Sequence, residues 1–127
     1  MSSEAKKILV SYWGHSNFRP MQEEIIDSIL AGNDTLALLP TGGGKSICFQ
    51  IPALIQKGTC IVISPLIALM KDQVTTLKKN KIKAAAIYTG MHRDEIESVY
   101  SNALYGDLKF LYLSPERLAT PVTRDIL

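Results

Sequence analysis

The stretch Leu36-Ala37-Leu38-Leu39-Pro40-Thr41-Gly42-Gly43-Gly44-Lys45-Ser46 restricts the possible folds of this chain more than any other part of it. A short apolar run reads as a buried strand, and consecutive glycines then allow a tight turn. The apolar-periodic residues after Lys45 read as a helix. A strand, a glycine turn and a helix start form a phosphate cradle: glycine N–H groups can approach phosphate oxygens, and the positive end of the helix points the same way. In that setting Lys45 would reach the β- and γ-phosphates of a nucleoside triphosphate, and the Ser46 hydroxyl would ligate its Mg²⁺. The strict pattern G-x-x-x-x-G-K-[ST] asks for glycine where this chain has Leu39, so the match is to the looser P-T-G-G-G-K-S. The competing reading is a glycine-rich loop with an exposed lysine.

The remaining chain alternates in the same way. Ile8, Leu9 and Tyr12 recur at helical spacing behind a Ser2 or Ser3 cap and stop at Gly14. After the loop Trp13 to Gln22, Pro20 is expected at the first position of a second helix with Ile25, Ile26, Ile29 and Leu30 inward, ending at Gly32. The helix from Lys45 buries Ile47, Ile51, Leu54 and Ile55 and runs towards Gly58, with Pro52 kinking or splitting it. A strand over Thr59 to Ser64 leads into Ser64-Pro65, a cap and first-turn proline for a helix carrying Ile67, Met70, Val74 and Leu77. The basic end of that helix, Lys78, Lys79, Lys81 and Lys83, is a solvated helix terminus or a binding patch. A strand over Ala84 to Tyr88 runs into Thr89-Gly90, a helix covers residues 92–105, and a last strand spans Leu108 to Leu113. Ser114-Pro115 repeats the cap-and-proline pattern.

Four strands alternating with helices predict an α/β fold, a parallel sheet covered on both faces, whose ligands bind at the carboxyl ends of the strands. The helix starts after Ser64 and Ser114 lack lysine and glycines; they suit isolated backbone phosphates, or are simply well-made helix starts. With 127 residues, 46% of them hydrophobic, the chain makes one modest domain. Its net charge of +2 neither demands nor excludes a nucleic-acid partner. Cys48 and Cys60 are too few for a disulfide framework, which points to free thiols in a reducing compartment, not a metal site. No signal-peptide pattern or membrane-length apolar run is present, so a soluble, cytoplasmic protein is expected.

Four blocks in order carry a resemblance to the N-terminal part of the RecQ branch of superfamily 2 DNA helicases. They are Phe18-Arg19-Pro20-Met21-Gln22, Pro40 to Gln50, Val62 to Gln73 and Leu113 to Leu118. The resemblance implies the first part of a RecA-like motor domain, with residues 1–32 as lead-in helices and 33–127 as its phosphate-loop core. It further implies ATP and Mg²⁺ as ligands, held by His15, Arg19, Gln22, Thr41, Gly42, Gly43, Gly44, Lys45 and Ser46, with Gln22 on the adenine edge, Arg19 supporting it and His15 stacking on the base or lying free in its loop. Single-stranded and duplex DNA would be the partner, along Ser64, Pro65, Lys71, Gln73, Thr89, Gly90, Ser114, Pro115, Glu116 and Arg117. Helicases of this kind carry an acidic Asp-Glu-Ala-His box beyond the place matching Leu127, so the chain is expected to hold the ATP-binding part and to self-associate through an unpaired sheet edge. A phosphate-loop kinase and a non-catalytic nucleotide-binding adaptor are the alternatives; the upstream adenine-gripping block and Leu39 weigh against the kinase.

Overall fold

The computed structural model describes residues 3–39, 44–121 and 123. They divide into two compact units, 1–58 and 59–127, each with its own interior.

In the first unit, α1 (Ser3–Ile8) continues into a π-helical turn over Leu9–Trp13, closed by Gly14 at φ 71°, whose N–H donates to Val10 O at 3.1 Å. The wider π turn rotates the apolar stripe. Leu9 is buried, whereas Tyr12, expected beside it, is exposed. Helix α2 (Gln22–Leu30) begins two residues later than the proline suggested. Pro20 instead occupies the turn ahead of the helix. Gln22 N–H donates to Arg19 O at 3.2 Å, and Met21 takes the left-handed conformation at φ 72°. Proline followed by a positive-φ residue is the pattern of a type II turn.

Helix α3 (Lys45–Ile55) starts from Gly44, also left-handed at φ 74°, and runs through Pro52 as one element ending at Gln56. Ala5, Leu9, Ile26, Ile47 and Ile51 meet to form the unit's core, with Trp13, Phe18, Leu30 and Ile55 packed around them. The segment expected as the strand before the glycine loop is not a strand. Residues 33–39 form no regular element, and Leu36 and Leu38 stand 88% and 85% exposed. An apolar strand is stable only when neighbours satisfy its backbone and cover its side chains. Among the described residues none does so here.

The second unit holds a parallel sheet of β1 (Cys60–Ile63), β2 (Ala84–Ile87) and β3 (Phe110–Leu113) in the order β1-β3-β2. Parallel neighbours require crossovers, supplied by α4 (Ile67–Lys79) and α5 (Arg93–Tyr105). Strand β3 is central and buried throughout, the pattern of a strand covered on both sides. On one face Leu111, Leu113 and Ile87 pack with Tyr100, flanked by Ile96 and Val99 of α5. On the other, Tyr112 donates its hydroxyl proton to Gln73 Oε1 of α4 at 2.7 Å. The sheet is therefore covered on both faces, as expected.

Both Ser-Pro starts differ from the expected cap. Ser64 Oγ accepts the Leu66 N–H at 3.2 Å, stabilising a turn before α4, and the N-cap is Leu66. Ser114-Pro115 opens only a short 3₁₀ turn, Pro115–Ala119. Helix α5 has the better cap: His92 and Glu95 form a capping box. The basic end of α4 is solvated, with Lys78, Lys79, Lys81 and Lys83 all exposed.

Candidate functional site

In the first unit, the loop after Gly14, the Arg19 turn and the start of α3 enclose a cleft of about 140 Å³, the scale of a single nucleobase. His15, Asn17, Arg19, Gln22 and Gly44 line it, with Leu9 and Ile47 as its apolar floor. Gln22 organises this cleft. Its side chain is 2% exposed; Oε1 accepts the Arg19 N–H at 2.8 Å and Nε2 donates to Gly44 O at 3.1 Å. One amide thereby joins the turn before α2 to the last glycine before Lys45. A Cβ on Gly44 would stand 2.5 Å from Gln22 Nε2, so both the space and the positive φ demand glycine here.

Lys45 is the first residue of α3 and exposed; Ser46 follows, half-buried. The unpaired N–H groups of this first turn, with the helix dipole behind them, favour an anion. Thr41, Gly42 and Gly43 lie outside the described residues. His15 is exposed at the rim of the cleft, where a ring could stack on a base. Asn17 was not singled out from the sequence, because a loop asparagine carries no periodic or motif signal. The left-handed Met21 was also missed. Proline at the second position of a turn was its signal, since the next residue of a type II turn takes positive φ.

In the second unit the carboxyl edge of the sheet gathers most of the other singled-out residues. Ser64 N–H donates to Leu113 O at 3.0 Å and Ser114 N–H donates to Ile87 O at 3.3 Å, so the exits of all three strands are stitched together. Thr89 Oγ1 donates to Glu116 Oε1 at 3.2 Å, tying the Thr89-Gly90 loop to the turn after β3. The Glu116 carboxyl is held below its ordinary value chiefly by a backbone N–H, with the Ser114 and Thr89 hydroxyls and Arg117 adding to the effect. Ser114 Oγ is buried and lies near that carboxylate without reaching hydrogen-bond geometry. Pro115 is exposed and Arg117 half-buried; Gly90 is exposed at φ 102°. Lys71 lies on the outside of α4 with its ammonium 4.8 Å from the Tyr88 ring centre. Gln73 is turned onto the sheet by its bond from Tyr112.

Both thiols are free, and burial pushes each above its ordinary pKa. No helix among the described residues is long and apolar enough to cross a membrane.

A base-sized cleft tied to a glycine-lysine-serine helix start, together with a parallel sheet flanked by crossover helices, defines a partial RecA-like α/β protein. The chain belongs to the DEAD/DEAH box helicase family, which it matches over residues 19–126. It is 47% identical to an ATP-dependent DNA helicase RecQ of Synechocystis over 91% of its own length and 24% of that protein's. Against the ATP-dependent DNA helicase RecQ of Bacillus subtilis it is 46% identical, over 94% of this chain and 20% of the relative. With the helicase of that name from Pasteurella multocida the identity is 44%, over 94% and 19%. The chain thus spans a quarter or less of the length of these relatives.

Proposed function

We propose that the chain is the ATP-binding portion of a RecQ-like DNA helicase, a protein that uses ATP hydrolysis to move along single-stranded DNA and unwind duplexes. The Gln22 bridge between Arg19 and Gly44 carries this reading, because it ties a base-sized cleft to the residue that precedes Lys45. A side-chain amide presents a donor and an acceptor side by side, matching the N7 acceptor and N6 donor of adenine. Since the amide already bonds Arg19 and Gly44, base binding shares or exchanges those bonds, and occupation of the cleft is felt at the start of α3.

The residues present fit Mg-ATP: a glycine-only approach at Gly44, a cation at Lys45, a hydroxyl at Ser46 and a free helix start. Lys45 would neutralise phosphate charge, Ser46 would hold the Mg²⁺, and Gly42 to Gly44 would donate backbone N–H groups. His15 would stack on the base and Arg19 would support Gln22. Bound ATP supplies the phosphoryl group, whose transfer depends on positioned charges around the γ-phosphate.

On the second unit, Ser64, Pro65, Thr89, Gly90, Ser114, Pro115, Glu116 and Arg117 would follow a DNA backbone along the carboxyl edge of the sheet, with Lys71 adding charge. The closeness of Ser64, Ser114 and the Thr89–Glu116 pair supports this, since such contacts position a strand without reading its sequence. The protein would then act inside the cell, where its DNA lies.

The test is nucleotide binding by calorimetry. ATP should bind the chain more tightly than GTP, and Gln22→Ala should erase the difference. An unchanged preference would remove Gln22 from base recognition. Stimulation of the full-length protein's ATPase by single-stranded DNA tests the helicase assignment; its absence would favour a small-molecule kinase or an adaptor.

A further inference from the structure

Helix α5 turns the Tyr100 side chain into the core of the second unit, where it is 5% exposed and packs with Ile87, Leu111 and Leu113. A phenylalanine would fill that space equally well. A buried phenol needs a partner for its hydroxyl, and Tyr100 shares a hydrogen bond with the Thr123 hydroxyl, which is also buried. Thr123 Oγ1 in turn lies 2.8 Å from Thr120 Oγ1, and the Thr120 hydroxyl is 2.8 Å from Arg117 O. A chain of hydroxyls thus runs from α5 to a backbone carbonyl of the Pro115–Ala119 turn.

The turn is short and needs such support. Arg117 N–H donates to Ser114 O at 3.0 Å and Thr120 N–H to Arg117 O at 3.1 Å, and hydrogen bonds of 3₁₀ geometry are poorer than those of an α-helix. On its other side Glu116 accepts from Thr89, in the loop that leads into α5. Contacts from α5 and from the loop before it therefore hold the turn at two points. We propose that Tyr100, Thr123 and Thr120 are positioning residues for DNA: their hydroxyls fix the turn that presents Glu116 and Arg117 to a single strand. The role rests on the DNA path proposed above and adds to it residues that act through the Arg117 carbonyl, since Tyr100 and Thr123 are too deeply buried to touch a strand. Backbone contacts position a strand only if the protein groups that make them are themselves fixed. A turn already ordered also loses less freedom on binding. A role confined to stability differs in one respect: it leaves the surroundings of Glu116 in the folded protein unchanged.

Two measurements separate the hydroxyl chain from the DNA path. In the chain, the Glu116 midpoint is followed by carboxyl-carbon NMR under conditions in which each variant is folded. Tyr100→Phe and Thr120→Val should both move it upward, because a loosened turn weakens the backbone and hydroxyl bonds that hold it low. In the full-length protein, both should weaken binding of a labelled single-stranded oligonucleotide about fivefold, read by fluorescence anisotropy. Thr120→Ser keeps the hydroxyl and should restore both readouts. Tyr105→Phe, which removes an exposed hydroxyl from the same helix, should change neither. An unmoved Glu116 midpoint in Tyr100→Phe and Thr120→Val would overturn the proposal. A moved midpoint with unchanged oligonucleotide affinity would overturn the role in DNA positioning and leave the DNA path standing. No binding of the oligonucleotide by the unaltered full-length protein would instead remove the DNA path, and the positioning role with it. If Tyr100→Phe fails to fold, Thr120→Val, at a half-buried site, decides.

Discussion

The Nε2 of Gln22 donates to the carbonyl of Gly44 at 3.1 Å across a separation of 22 residues, and a Cβ on Gly44 would collide with that nitrogen. The contact joins two sequence blocks that would otherwise be independent. Gln22→Ala leaves Gly44 O and the Arg19 N–H without this partner and should cost about 1–3 kcal/mol. Gly44→Ala adds a left-handed alanine and a steric clash, at about 1–2 kcal/mol for the backbone alone. Because Gln22→Ala removes the clashing atom, the double variant should lose less than the sum of the singles, as read by denaturant unfolding. Strict additivity would show that the two residues are not coupled.

Lys45 sits exposed at the start of α3, so its truncation removes charge without opening a cavity. Lys45→Ala should leave the thermal unfolding midpoint of the chain within a degree or two, since surface changes of this kind usually stay within about 0.5 kcal/mol. It should nevertheless abolish detectable ATP binding by calorimetry.

Glu116 titrates below the ordinary 4.5, first because of a backbone N–H and then because of the hydroxyls of Ser114 and Thr89. A carboxylate whose pKa is lower in the folded state adds stability above its unfolded pKa, and that contribution is lost as pH falls through the folded value. The effect should therefore appear only below about pH 4.5. Thr89→Val should move the Glu116 midpoint upward in a carboxyl-carbon NMR titration, and Glu116→Gln should flatten the acid limb of the stability profile. A Glu116 midpoint at or above 4.5 would contradict the Thr89 contact.

Leu36 and Leu38 are almost fully exposed in a segment with no strand partner among the described residues. Apolar side chains beside an unpaired backbone are a template for association. The isolated chain is expected to run above its monomer mass in light scattering and to bind hydrophobic dyes. Leu36→Ser with Leu38→Ser should reduce both signals. A dye-silent monomer that unfolds in one cooperative transition would overturn this expectation.

The sequence by itself determined the alternation of elements in the second unit and the inward faces of α2 through α5, because these depend on local periodicity and on glycine and proline chemistry. Ile26, Ile51, Met70, Leu77 and Leu111 are buried as their spacing requires. Only the tertiary structure decided whether Leu36 to Leu39 becomes a strand, because a strand's hydrogen bonds belong to its neighbours and not to itself. Tertiary structure also placed Met21 in the left-handed region, reduced the Ser114-Pro115 start to a 3₁₀ turn and set β3 between β1 and β2. The link from Gln22 to Gly44 is of the same kind. Each residue is legible as a motif member, but the bond between them exists only once α2 and α3 pack together and bring the two blocks within reach.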